Sequence, residues 1–195
     1  MKFFLIFIFV VFICFSASHI RYSHASDTCE SVSTEVFATA VDIIARQEAL
    51  YRSLSQEAAL AIARKVFVPQ ARIHIGAYQP TRCDVLHQTT LNFEDPDDLK
   101  VMLWIIAGES AFNPAEEAIT PRKYSCGPTQ INLDYHVSTT EKHLGSSGHS
   151  EEYLCQKLKA DPALALRVSY DLYTHDGPAI WSAFRGIDQQ FINSL

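Results

Sequence analysis

Apolar residues recur at helical intervals along most of the chain. Val36, Ala40, Val41, Ile44 and Leu50 or Leu54 share one face of a stretch free of Gly and Pro, which predicts a helix. Ser53-Leu54-Ser55-Gln56 has the form of a capping box and predicts a second helix over 58–67, closed by Pro69. Residues 70–94 are less regular: 71–78 suit an extended segment and Pro80-Thr81-Arg82 a turn. Asp95-Pro96-Asp97-Asp98 is a strong helix start. A side-chain cap, a proline at the first helical position and carboxylates near the positive end of the helix dipole all agree there. The helix it opens carries Leu99, Met102, Leu103 and Ile106 on one face. Ser138-Thr139-Thr140-Glu141 reads as another capping box, Asp161-Pro162 as another start, and His175-Asp176-Gly177-Pro178 as a stop. Alternating strands are scarce, and neither internal repeats nor a low-complexity linker interrupts the pattern. The chain reads as mainly α.

One apolar run has another origin. Met1-Lys2 precedes the 13 apolar residues 3–15, then come Ser16-Ala17-Ser18 and a polar stretch ending Ser23-His24-Ala25. A short basic start, an apolar stretch and a small-residue ending describe a secretory signal peptide cleaved near Ala25. At 1.5 Å per residue the run falls well short of the ~30 Å hydrocarbon core, which disfavours an uncleaved anchor. Export to the periplasm or the extracellular space follows, with membrane contact only during export. Of the 195 residues, loss of 1–25 leaves 170, with 14 Lys+Arg against 22 Asp+Glu and a net charge of −8. That length suits one domain, and that charge counts against nucleic acid as a partner.

Export also decides the cysteines. Cys14 leaves with the signal, so four remain: Cys29, Cys83, Cys126 and Cys155. An even count in an oxidising compartment reads as two disulfides, for which three connectivities exist. No pair has CxxC spacing, so a zinc site is a poor alternative. Of the three, Cys126–Cys155 with Cys29–Cys83 is preferred. Cys126 lies just before the Gln130 segment, with Cys155 on the next helix but one, while Cys29 and Cys83 flank the N-terminal helices.

The chemistry centres on the end of the Asp95 helix, Trp104-Ile105-Ile106-Ala107-Gly108-Glu109-Ser110-Ala111-Phe112-Asn113-Pro114, which Asn113-Pro114 must terminate. A lone carboxylate against an apolar wall is the arrangement that lets a Glu serve as general acid. The plainer reading is a Glu that leaves the helix surface into water. A second segment, Ser125-Cys126-Gly127-Pro128-Thr129-Gln130-Ile131, lies in a turn-rich stretch. A third reads Trp181-Ser182-Ala183-Phe184-Arg185-Gly186. Together, Glu-Ser-x-Phe-Asn-Pro, Ser-x-Gly-x-x-Gln-Ile and this third segment resemble the soluble (SLT-type) lytic transglycosylases within the lysozyme-like superfamily, over residues 97–187.

The resemblance implies a lysozyme-like fold of the goose-lysozyme/SLT type, mainly α, with its catalytic core at 95–195; the N-terminal helical part (26–94) carries helices that its motifs do not explain, and the two disulfides follow from the cysteine count. It implies cleavage of peptidoglycan between N-acetylmuramic acid and N-acetylglucosamine, with glycan strands as partner and no cofactor. Glu109 stands at the single catalytic glutamate and Gln130 at a glutamine that contacts substrate. Thr120, before Pro121, stands near a hydroxyl that meets the sugar acetamido group. Ser110, Tyr124, Trp181 and Phe184 are further sugar-contact candidates. Two departures are plain: the usual Gly-Leu-Met-Gln is Gly127-Pro128-Thr129-Gln130, and the tyrosine of the third motif is Phe184, or Tyr173 if the alignment slips.

Ordinary glycan hydrolysis uses two carboxylates. Glu116, Glu117 and Asp134 are the nearby candidates, and each reads as solvated surface. A single Glu suits the transglycosylase route, which consumes no water and leaves a 1,6-anhydromuramyl end. A hydrolytic muramidase and a catalytically weak wall-binding or assembly protein on the same scaffold are the alternatives. By analogy, a small exported enzyme of this kind serves secretion or envelope-assembly machinery. His136, His143 and His149 have no metal-ligand spacing, and Gly145-Ser146-Ser147-Gly148 lacks the Lys-Ser/Thr of a phosphate cradle. Trp104 reads as core.

Overall fold

Each helix begins where a short polar side chain can satisfy the free N–H groups of its first turn. In the computed structural model, which describes residues 29–68, 79–120 and 123–186, helix α1 (Thr34–Arg52) is capped by Ser33. Helix α2 (Gln56–Val66) is capped by Ser55, whose hydroxyl accepts from the Ala58 N–H. Ser53, expected to start that cap, instead ends α1 in the left-handed region at φ 53°. Helix α3 (Arg82–Asn92) occupies much of the stretch read as irregular. Thr81 and Asp84 form a reciprocal box there: the Asp84 N–H donates to the Thr81 hydroxyl at 3.2 Å and the Thr81 N–H to Asp84 at 2.6 Å. The signal segment and the expected extended stretch at 71–78 lie outside the described residues.

The Asp95 start holds. The Asp95 carboxylate accepts from the Asp97 and Asp98 N–H groups and opens α4 (Pro96–Ser110). A three-stranded antiparallel sheet follows, in the order β1 (Glu117–Thr120), β2 (Lys123–Cys126) and β3 (Ile131–Asn132). Glu117 faces Cys126 and Ile119 faces Tyr124 across the hairpin. Three helices complete the described chain: α5 (Leu133–Leu144), α6 (Glu151–Ala160) and α7 (Pro162–Asp176). Short 3-10 turns at Pro178–Ile180 and Phe184–Gly186 come last. The proposed box at Ser138–Glu141 lies just past a kink: α5 opens at the Asn132 cap, leaves helical geometry at His136 (φ −118°, ψ 22°) and resumes before Ser138, with the Thr140 hydroxyl donating back to the His136 carbonyl.

Helix α4 is the axis of the core. Val101 to Ala107 are buried without a break, so neighbours surround it rather than line one face. Helices α1 and α3 pack against α4, α2 against α1, and α7 against α3, while α5 and α6 sit between α7 and the sheet. Buried residues from α1 and α2 join those of α3–α7 in one cluster. The N-terminal helices buttress the axis directly. Gln47 is buried and donates to the Trp104 carbonyl at 2.9 Å, and Phe37, Phe67 and Phe112 pack in sequence, rings tilted by 55° with centroids 5.2 and 5.3 Å apart. Of the two leucines that could close the buried face, Leu54 packs partly buried against the core and Leu50 is 65% exposed.

The disulfides are Cys29–Cys83 and Cys126–Cys155, with Cα atoms 5.1 and 5.4 Å apart, the connectivity expected from chain order. The first ties the residues before α1 to α3; the second ties β2 to α6. Such bridges suit an exported protein, since they persist in oxidising compartments. Among the described residues, no helix is long and apolar enough to cross a membrane.

Candidate active site

Glu109 lies on the last turn of α4, one residue before its end. The helix stops at Ser110, earlier than Asn113-Pro114 requires, because Ala111 and Phe112 both adopt left-handed conformations, φ 50° and 62°. Neither is Gly, so each pays a steric cost that its surroundings must offset. Phe112 is fully buried against Phe67, and the Ala111 carbonyl accepts from the Arg82 Nε–H at 3.1 Å. This reversal turns the chain away immediately after the carboxylate and leaves Glu109 half-buried at the helix end.

Three segments distant in sequence meet here. The Ser110 hydroxyl donates to the Pro128 carbonyl at 2.6 Å, joining α4 to the loop before Gln130. The Trp181 Nε1–H donates to the Thr129 carbonyl at 2.8 Å, joining that loop to the last described segment. That segment in turn grips the carboxylate: Glu109 Oε1 accepts from the Ser182 hydroxyl at 2.7 Å and from the Ala183 N–H at 2.9 Å. The Ala183 carbonyl accepts from the Trp104 Nε1–H at 3.1 Å. The backbone of one residue, Ala183, is therefore held to α4 through both its N–H and its carbonyl. Glu109 does not stand against a purely apolar wall, as its sequence context implies; a polar turn covers one of its oxygens. Oε2 has no hydrogen-bond partner among the described residues.

The sequence candidates fall into two groups. Ser110, Trp181 and the Gln130 loop are built into the scaffold around Glu109. Trp181 is 4% exposed, so it serves as a post rather than a stacking face. Gln130 is also buried; it has φ 52°, and its amide donates to the Gly127 carbonyl at 3.0 Å, closing its own turn. Thr129 is fully buried and points inward, its hydroxyl 2.7 Å from that of Ser169. Phe184 is half-buried against the core. Thr120 and Tyr124 lie on the hairpin, Thr120 exposed and opposite Lys123, Tyr124 half-buried and opposite Ile119. Trp104 is core, as expected. Gly108 lies within the first segment and Ser182 and Ala183 within the third, but nothing in those segments pairs them with one another or with Glu109 across some 74 residues.

The carboxylates nearest in sequence are occupied. Glu116 accepts from the Asn113 amide at 2.8 Å, and Glu117 pairs with Lys159. Asp134 is exposed on the first turn of α5. No group of three or more His, Cys, Asp or Glu among the described residues is placed to hold a metal.

A cluster of charged side chains lies elsewhere. Asp171 on α7 accepts from Lys142 at 2.9 Å and lies 3.1 Å from His143. The Lys142 hydrogen bond, aided by His143 and opposed by burial, holds the Asp171 carboxyl below its ordinary range. His136 is lowered by burial, with Asp176 opposing. Burial and the Asp98 carboxylate, 2.6 Å from its hydroxyl, push Tyr173 well above the ordinary phenol value. Two surface hollows, of about 400 and 420 Å³, lie beside Asp171 and beside Asp98, and neither contains Glu109.

No family model, curated protein or solved structure matches the chain.

Proposed function

We propose that the protein is an exported peptidoglycan lytic transglycosylase on a lysozyme-like fold, with Glu109 as its single acid and base. The observation that carries this reading is the convergence on Glu109 of the three segments on which the resemblance rests. A coincidental match of short motifs would have no reason to bring Ser110 to Pro128, Trp181 to Thr129 and Ser182 to Glu109.

In the proposed reaction, neutral Glu109 gives its proton to the glycosidic oxygen between N-acetylmuramic acid and N-acetylglucosamine. The bond from C1 to that oxygen breaks, and the departing sugar leaves as an alcohol. The substrate's own acetamido group stabilises the cation developing at C1. The Glu109 carboxylate then takes the proton of the muramyl C6 hydroxyl as that oxygen bonds to C1. A 1,6-anhydromuramyl end forms, no water is consumed, and Glu109 is neutral again. One carboxyl group moving one proton each way suffices, which suits a site where Glu116 and Glu117 are held by Asn113 and Lys159. A hydrolytic muramidase of the usual two-carboxylate design would need a second acid at this site.

A wall-binding protein without cleavage is the second reading. It is favoured by Gln130, whose amide is turned onto Gly127 rather than offered to a ligand. Digestion of purified sacculi followed by mass spectrometry separates the readings. Anhydro ends are expected; reducing ends would replace the proposal with the muramidase, and intact glycan with the wall-binding protein.

A further inference from the structure

We infer that the turn at Ser182 and Ala183 fixes which oxygen of Glu109 carries the proton, with Ser182 as the positioning residue. This rests on the reading of Glu109 as acid and base, and it gives Ser182, which the third segment contains without assigning it a contact, a role of its own. A neutral carboxyl group has one hydroxyl oxygen and one carbonyl oxygen. The Ala183 N–H has no lone pair and can only donate, and it lies 2.9 Å from Oε1. The Ser182 hydroxyl adds a second donor to the same atom at 2.7 Å. An oxygen that accepts two hydrogen bonds is the carbonyl oxygen of the neutral acid, so the transferable proton sits on Oε2. The same two donors then hold Oε1 when the group is ionised, and Oε2 is again the atom that accepts a proton. Both halves of the reaction therefore run through one oxygen in one orientation.

The turn can do this because the scaffold holds it. Trp104 binds the Ala183 carbonyl, and Trp181 is buried and anchored to Thr129. Gly108 leaves the space in which Ala183 sits, since a Cβ there would lie 2.8 Å from the Ala183 Cβ. Such outer partners fix the orientation of the reacting group. Ser182 itself is exposed, so its hydroxyl does not serve a buried network. Phe184 brings no hydroxyl, which makes Ser182 the side-chain donor this segment supplies to Glu109.

The test uses the intact protein, soluble glycan strands and carboxyl-¹³C labelling of Glu. Ser182→Ala should lower kcat about tenfold, the low end for losing a hydrogen bond to a charged group. KM should stay within about twofold, because the contact orients the reacting group and does not bind sugar. Thermal stability should be unchanged, and Ser182→Thr, which keeps the hydroxyl, should restore kcat. The Glu109 carboxyl resonance, assigned by its loss in Glu109→Gln, should move in Ser182→Ala and return in Ser182→Thr. An unchanged kcat in Ser182→Ala, beside a dead Glu109→Gln, would overturn the positioning role while the parent reading stands. If Glu109→Gln still cleaves, the parent reading fails, and the resonance alone then decides the contact. An unmoved resonance overturns it whatever the activity.

Discussion

Gly108 and Ala183 meet so closely that a Cβ on Gly108 would lie 2.8 Å from the Ala183 Cβ and 3.3 Å from the Gln47 amide nitrogen. Real Cβ atoms do not approach at 2.8 Å, so one partner would have to move. Gly108→Ala gains about 1 kcal/mol of helix propensity and loses about 1–3 kcal/mol to overpacking. Net stability should therefore fall by no more than about 2 kcal/mol. Activity should fall further, because the displaced atom belongs to the turn that holds Glu109. Denaturant unfolding beside glycan cleavage measures the two effects. Adding Ala183→Gly removes the colliding methyl and should recover both; failure to recover would mean that the contact is not what limits residue 108.

Glu109→Gln should abolish cleavage without unfolding the protein. Glutamine keeps the shape and still accepts from Ser182 and Ala183 through its carbonyl oxygen, but it cannot exchange a proton. A loss of about 10²–10⁴-fold is expected for a general acid–base group. Retention of more than about a tenth of wild-type activity, against that expectation, would remove Glu109 from the role.

Glu116→Gln and Glu117→Gln should leave cleavage nearly unchanged, since Asn113 and Lys159 already occupy these carboxylates. Glu117→Gln should cost stability by no more than about 1 kcal/mol, the scale of a partly exposed ion pair. A severe activity loss at either position, read on sacculi, would mark a second catalytic carboxylate and favour the muramidase.

Removing Cys126–Cys155 should reduce activity before it unfolds the protein. The bridge spans 29 residues, and closing such a loop stabilises by roughly 4 kcal/mol on the chain-entropy model. It also tethers β2, which leads directly into the loop that meets Ser110 and Trp181. Cys126→Ala with Cys155→Ala should therefore lose cleavage at temperatures where circular dichroism still reports native helix. Non-reducing peptide mapping should find Cys29 with Cys83 and Cys126 with Cys155, and any cross-pair would refute the connectivity.

Acid should weaken the fold in two stages. Burial lowers His136 from 6.5, so the unfolded chain takes up that proton first, and stability falls as pH drops through this range. Lys142 and, less strongly, His143 lower Asp171 from 3.8, so its contribution is intact above that value and is lost as pH falls through the lower folded one. Urea midpoints measured against pH check both. His136→Gln should flatten the upper stage and Asp171→Asn the lower, and a midpoint constant from pH 7 to 5 would contradict the first.

By itself the sequence determined most of the helices, because their ends are written in local chemistry. Asp95-Pro96 and Asp161-Pro162 cap where they stand, and Gly177 stops α7. It also indicated two disulfides and, by chain order, favoured one of three pairings, the one the structure shows, and it pointed to Glu109 through the segment that contains it. Helix α3 was legible in Thr81 and Asp84, but Pro80 and the irregular run before it hid the signal. Helical spacing alone does not choose between Leu50 and Leu54; packing covers Leu54 against the core and leaves Leu50 exposed.

The tertiary structure alone decided the site. Nothing in the order of residues says that Ser182 donates to Glu109 Oε1, that Trp104 holds the Ala183 carbonyl, or that Thr129 turns inward to Ser169. These contacts join residues 40 to 79 positions apart. Each is short-ranged and directional, so it exists only once packing has brought both partners within about 3 Å. Helix propensity and capping act over three or four residues and can be read from a line of text. The hydrogen bonds that orient a carboxyl group act across the core, and they form only when the core has closed.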